Sequence, residues 1–224
     1  MKNKIIIAIL IIVVIIIAGV AIYIATNKNN ATVTTSKENG SKNNQEIKEE
    51  NMEKKEYLSG KYNVEIEVKD LGVISLELDA DIAPITVTNF VKLVKEGFYN
   101  GLTFHRIIDG FMIQGGDPLG TGMGGSSEKI KGEFIANGVA NSISHVRGVI
   151  SMARAGYSYD SASSQFFIVH EDSLFLDGQY ASFGKVTSGM EIIDKIAENI
   201  KVEDSNGTVL KENQPKIIEI RVVE

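Results

Sequence analysis

FHRIIDGFMIQGGD, residues Phe104 to Asp117, sets an arginine inside an apolar run, follows it with an Asp-Gly turn, and closes on a glutamine and two glycines. TFHRII and FMIQ read as two short strands around Asp109-Gly110. Alternation along such strands puts Phe104 and Arg106 on one face, and sets Phe111 and Ile113 against Met112 and Gln114. Burying an arginine costs free energy unless it is paired or faces a cleft. The pattern alone leaves two readings: an arginine opening on a cleft, or a surface ion pair whose apolar stem covers the sheet.

Upstream, VEIEV and ISLEL alternate apolar with charged residues on either side of Asp70-Leu71-Gly72, as two half-buried antiparallel strands do. Pro84 opens a helix in which Val87, Phe90, Val91 and Val94 recur at helical spacing, and Gly97 suits its C-cap. Downstream, GVISMA, QFFIV and ASFGKV are further short strands. A second helix, Met190 to Glu198, buries Ile192, Ile193 and Ile196. Asn206-Gly207 makes a tight turn, and KIIEIRVV supplies the final strand. Many short strands, two helices and no βαβ alternation predict a mainly β fold. The expected form is an antiparallel barrel capped by two helices, with the first and last strands pairing to close it.

The remainder of the 224 residues is of different character. After Lys2 and Lys4, Ile5 to Ile24 is an uncharged apolar run of 20 residues, about 30 Å as a helix and so the thickness of a bilayer core. It is longer than the apolar stretch of a cleavable signal. Residues 1–26 are therefore expected to be a signal anchor, one transmembrane helix, with the basic N-terminus inside and the rest of the chain extracytoplasmic. Cleavage of this segment would instead release the protein as a secreted one. Residues 27–59 are rich in Asn, Lys, Glu, Ser and Thr and read as a polar flexible linker. Residues 60–224 form the folded domain.

Composition narrows the chemistry. There is no cysteine, which excludes disulfides, thiol nucleophiles and zinc-thiolate sites. The net charge of −6, with both signs interspersed, argues against a nucleic-acid partner. His105, His145 and His170 lack metal-ligand spacing and read as structural or substrate-edge residues. Gly120, Gly122 and Gly125 spell G-x-G-x-x-G, but SSEKIKGEF after them has no helical apolar stripe. A glycine loop at the rim of a cleft fits better than a dinucleotide site. No G-x-S-x-G or Ser–His–acid pattern stands out, which leaves an exported hydrolase weakly supported. Asp109 beside Gly110 is more simply a turn residue than half of a carboxylate pair.

FHRIIDGFMIQGGD, GVISMARAG, SSQFFIV and FLDGQYASFGKV together resemble successive blocks of the cyclophilin family of peptidyl-prolyl cis-trans isomerases, in the family's order and spacing. The resemblance runs from about Tyr62 to Val223. It implies an eight-stranded antiparallel β-barrel closed by two α-helices. It also implies an isomerase of X–Pro bonds that needs no cofactor and no metal. Arg106, Phe111 and Gln114 match the family's catalytic set. Met112, Phe167 and Leu176 match the wall around the proline ring, with Phe111. Ala153, Arg154 and Gln165 match the groove for the substrate backbone, and His105 sits beside the arginine. Gly122, Gly124 and Gly125 match the loop bordering a second, shallower pocket for the residue before proline.

Two positions depart from the family's common pattern. Phe175 stands where many members carry tryptophan, which keeps an aromatic wall and loses an N–H donor. Isomerase activity is expected to persist while sensitivity to cyclosporin falls. Tyr180 stands where many members carry histidine and keeps a hydrogen-bonding aromatic tip. At Arg154 asparagine is also common in the family, and the arginine would favour acidic substrate positions. The expectation is a membrane-anchored, monomeric isomerase at the cell membrane. It would act on proline-containing unfolded or partly folded polypeptides and assist the folding of exported proteins. The alternative is a non-catalytic, membrane-tethered module that binds proline-containing segments.

Overall fold

Eight strands run in chain order with two α-helices among them. They are β1 (Lys61–Val68), β2 (Gly72–Asp79), α1 (Pro84–Lys95), β3 (Phe104–Ile108), β4 (Met112–Gly115), β5 (Val149–Met152), β6 (Phe166–Val169), β7 (Ser182–Ser188), α2 (Met190–Asn199) and β8 (Ile217–Val223). The structure is a computed structural model that describes residues 56–223. The expected anchor and linker lie outside the described residues.

All pairings are antiparallel, and the strand order is β3-β4-β6-β5-β7-β2-β1-β8. β1 and β8 pair as expected, from Asn63 opposite Val223 to Val68 opposite Ile217. They are neighbours within the sheet, however, and the seam that curls it shut lies elsewhere. The Phe104 N–H donates to Pro215 O (3.0 Å), the Ile217 N–H donates to Leu102 O (2.8 Å), and Thr103 bridges Lys216. Further along the free edge of β3, Ile107 N–H donates to Gly207 O (2.8 Å) and Val209 N–H to His105 O (3.1 Å). The segment before β8 thus covers an edge that would otherwise be open to another chain.

Side chains fill the interior. Phe90 of α1 reaches in against Tyr99, Phe166 and Phe183, with ring centroids 5.0, 5.6 and 5.3 Å away. Ile66, Ile74, Leu76, Leu78, Phe104, Ile107 and Ile113 complete the packing, all at most 1% exposed. This interior is a packed core, and the candidate site is built on the outer surface. A second, smaller apolar cluster lies there, made by Met112, Val149, Phe167, Val169 and Leu176. β5 and β6 are buried on both faces because they separate the two clusters.

β3 departs from simple alternation. Phe104 pairs with Gly115 and Arg106 with Gln114, so His105 is an extra residue on its strand. This bulge resets the pleat. Phe104 is fully buried in the interior against Phe166, whereas Arg106 lies on the outer surface with Met112 and Gln114. The expectation that Phe104 and Arg106 share a face is corrected by that one inserted residue. Phe111, which precedes β4, follows the Asp109-Gly110 turn rather than the strand's alternation.

The expected transmembrane helix is corrected too. Among the described residues no helix is long and apolar enough to cross a membrane. α1 has 12 residues and α2 has 10, about 18 and 15 Å of helix against a hydrocarbon core of about 30 Å. Each is amphipathic and buries one stripe on the barrel.

Two buried polar groups hold the ends of these elements. α1 has no capping side chain of its own. Instead Glu133, 2% exposed, accepts the Ile85 N–H (3.0 Å), the Thr86 N–H (2.8 Å) and the Thr86 hydroxyl (2.7 Å). A carboxylate at a helix N-terminus satisfies orphan donors and complements the helix dipole. His145, 1% exposed, joins Asp177 Oδ1 through Nδ1 (2.8 Å) and Ser151 Oγ through Nε2 (3.0 Å). This Ser–His–Asp chain fastens the 3-10 turn at Leu174–Leu176 to β5. Ser151 is fully buried, so the chain presents no nucleophile.

Glu133→Ala should lower stability by about 1–3 kcal/mol, the cost of stranding buried donors, measured as a lower denaturation midpoint with an unchanged slope. Burial holds His145 below the ordinary histidine value of 6.5, although Asp177 pulls the other way. The unfolded chain then takes up a proton that the fold refuses. Stability should be full above about pH 6.5 and decline as pH falls from there toward the folded-state value. Thermal midpoints measured against pH should show that decline, shallower in His145→Asn.

Candidate active site

A cavity of about 280 Å³ opens on the outer surface over β4, β5 and β6. Met112, Phe167 and Leu176 form its floor, Phe111 and Phe175 one wall, and Ala153, Arg154 and Tyr180 the other. Arg106 and Gln114 stand at its mouth. Of the residues expected to be catalytic or to line the proline wall and substrate groove, all border this cavity except His105 and Gln165. Those two line adjoining hollows on the side of the glycine loop.

The aromatic walls have definite supports. Phe111 lies beside Phe175 with centroids 5.5 Å apart. Its turn is held by His170, whose N–H donates to Phe111 O (2.8 Å) and whose Nδ1 accepts the Gly110 N–H (3.1 Å). Phe167 is stacked on the buried ring of His145 (6.0 Å, 15°) and met edge-on by Tyr180 (6.0 Å, 83°). Two of the three histidines thus hold the cavity in shape from behind.

Arg106 is clamped from two sides. Its Nε donates to the main-chain oxygen of Asn206 (2.8 Å), and its Nη1 donates to Gln114 Oε1 (3.1 Å). Gln114 Nε2 donates to Gln165 Oε1 (2.8 Å), and Gln165 Nε2 donates to the oxygens of Gly124 (2.7 Å) and Gly122 (3.0 Å). One line of hydrogen bonds therefore runs from the loop before β8, across the cavity mouth, to the glycine loop. Partial burial pulls the guanidinium below its ordinary value, but arginine stays charged at any physiological pH. Nη2 makes no hydrogen bond among the described residues, which leaves a cationic donor at the cavity.

Both ends of this line are held by aspartates that sequence reasoning missed. Asp204 accepts from the Asn206 N–H (3.0 Å), the Thr208 N–H (3.1 Å) and the Thr208 hydroxyl (2.9 Å). Asp117, 1% exposed, accepts the N–H groups of Leu119 (2.8 Å), Thr121 (2.9 Å) and Gly122 (2.6 Å). Burial opposes the Asp117 charge, yet these donors outweigh it and hold the carboxyl below the ordinary aspartate range. Gly124 lies so close that a Cβ there would meet Asp117 Oδ1. Asp-x-Asn-Gly-Thr at 204–208 and Gly-Gly-Asp before the glycine loop were the available signals, since aspartate readily bonds nearby main-chain N–H groups. His105, 4% exposed, finds no partner for either ring nitrogen among the described residues, and burial lowers its proton affinity.

The arrangement is a rigid apolar recess with a fixed cationic donor and an amide at its mouth. It suits a substrate with a compact apolar ring and a polar backbone, and chemistry that develops electron density near Arg106.

Comparison with known proteins agrees. The family described as "Cyclophilin type peptidyl-prolyl cis-trans isomerase/CLD" matches residues 63–222. A peptidyl-prolyl cis-trans isomerase of Helicobacter pylori is 48% identical over 160 residues, covering 70% of this chain and 90% of its own. Peptidyl-prolyl cis-trans isomerase B of Bacillus subtilis is 50% identical over 145 residues, covering 65% and 92%. The crystal structure of a cyclophilin-type isomerase of Cryptosporidium parvum, obtained in the presence of the dipeptide Ala-Pro, superposes with a TM-score of 0.64 at 32% identity. It covers 72% of this chain and 99% of that one.

The family match falls within the folded region, at residues 63–222. With no membrane-crossing helix among the described residues, the expected membrane-anchored type, membrane partner and cell-membrane location are withdrawn. Residues 5–24, on which those expectations rested, lie outside the described residues. The non-catalytic alternative gives way as well, because the family and its relatives are enzymes. The chain belongs to the cyclophilin-type peptidyl-prolyl cis-trans isomerases.

Proposed function

We propose that the cavity at Phe111, Met112, Phe167 and Leu176 holds the proline ring and that Arg106 is the catalytic donor. The observation that carries this reading is the double clamp on Arg106, through Asn206 O and Gln114, beside an apolar recess. Rotation about an X–Pro amide is opposed by partial double-bond character, with a barrier of about 18–20 kcal/mol. Uncatalysed exchange takes tens to hundreds of seconds. No bond breaks, so neither a nucleophile nor a transferred proton is required.

When the amide twists, resonance is lost and the proline nitrogen regains its lone pair. A donor aimed at that nitrogen binds the twisted amide better than the planar one, which is the condition for acceleration. Arg106 meets the condition with a permanent charge whose orientation is fixed before the substrate arrives. The apolar wall holds the ring still, so that the acyl side turns. Gln114 keeps one amide N–H for a substrate carbonyl while its oxygen steadies Arg106. Ala153, Arg154 and Gln165 take the backbone before proline, and His105 backs the glycine loop at Gly122.

The full chain should accelerate isomerisation of a short X–Pro peptide. Arg106→Ala should lower kcat/KM by about 10²–10³, the usual cost of removing a preorganised donor, with the fold retained by circular dichroism. A well-folded wild-type chain without acceleration would sink the assignment. Gly207 has φ +81, and a Cβ there would meet Ile107 O. Gly207→Ala should therefore displace the Asn206 carbonyl and reduce kcat, with little change in KM, although residue 207 touches no substrate.

A further inference from the structure

Beside the proline cavity lies a larger hollow of about 500 Å³, bounded by the glycine loop and by Ala153 to Tyr157. The two spaces share Gln114, Ala153 and Arg154. Two cations, Lys129 and Arg154, line the hollow, and no carboxylate does. That is unexpected in a chain of net charge −6.

Arg154 is held in place with no carboxylate partner. Its guanidinium carbon lies 4.6 Å from the ring centroid of Tyr180, 5.0 Å from that of Tyr159 and 5.5 Å from that of Phe134. Nε donates to Gln179 O (3.0 Å) and Nη1 to Ala155 O (3.1 Å). Neither Arg154 nor Lys129 forms an ion pair among the described residues.

The acids nearby are already engaged. Glu128 pairs with Lys92 (3.3 Å), and Glu133 caps α1. Asp160 Oδ1 accepts from the Gly132 N–H (3.0 Å) and Asn137 Nδ2 (2.7 Å), and Asp117 is enclosed by the glycine-loop amides. A guanidinium stacked on aromatic rings is weakly hydrated and rigid, which suits it to bind a carboxylate.

Resting on the assignment of the neighbouring cavity to proline, we propose that this hollow makes the enzyme selective for substrates with an acidic side chain within two residues before the proline. Arg154 supplies a fixed contact and Lys129 a mobile one. Both are specificity-determining residues.

The test is a set of short peptides with Glu, Gln or Lys at the first or second position before proline, assayed with the full chain at low and high salt. At low salt kcat/KM should favour Glu over Lys by about fivefold at one of the two positions, the upper range for a partly exposed ion pair. Salt at about 0.5 M should shrink the ratio, because it screens charges. Arg154→Gln and Lys129→Gln should each reduce the Glu-to-Lys ratio, and Lys129→Glu should reduce it further. Turnover without any charge preference, or a preference unmoved by both glutamine variants, would overturn the selectivity while leaving the catalytic assignment standing. Failure to accelerate any of the peptides would overturn both.

Discussion

The inserted residue at His105 is the constraint on which this site depends. Without it, Arg106 would share the fate of Phe104 and point into a barrel packed with aromatic rings. With it, the strand contributes Phe104 and Ile107 to the interior and still delivers a guanidinium to the surface. A bulge bends its strand and twists it more strongly. The bend here coincides with the place where the segment before β8 folds over the edge of β3. Closure of the barrel and exposure of the arginine are thus one local event.

From that event the site is assembled by bracing rather than by enclosure. The barrel's interior serves as a rigid backing, and the candidate site lies outside it. Each wall is buttressed from behind: Phe167 by His145, the Phe111 turn by His170, and the glycine loop by Asp117. Arg106 lies midway along a hydrogen-bonded line whose two ends are tied by buried or self-satisfied loops. This is the construction that electrostatic catalysis needs, because a donor that had to reorganise during the twist would forfeit much of its advantage.

Much of the architecture was legible in linear form. Alternation marked β1 and β2, helical spacing marked α1 and α2, and glycine turns such as Asp109-Gly110 punctuated the short strands. The site residues were legible only through family resemblance, since Phe167 and Met112 look like ordinary core residues in isolation. Neither pattern nor resemblance revealed Glu133, which caps a helix 47 positions away in sequence, or Asn206, which grips Arg106 across 100 positions through a main-chain oxygen. A carbonyl has no side-chain identity to read. A capping carboxylate far from its helix has no local spacing to betray it.

What the sequence determined by itself is therefore the set of elements and their chemistry: which segments alternate, which are helical, and that no thiol could take part. Those properties depend on neighbours a few residues apart, where periodicity and turn preference act. Only the tertiary structure decided that Arg106 faces outward, that the barrel closes between β3 and the segment before β8, and that Arg154 and Lys129 line one hollow without an acid. These are outcomes of register and of contacts between distant segments. They are fixed when a bulge is accommodated and an interior fills, and no single stretch of the chain contains them.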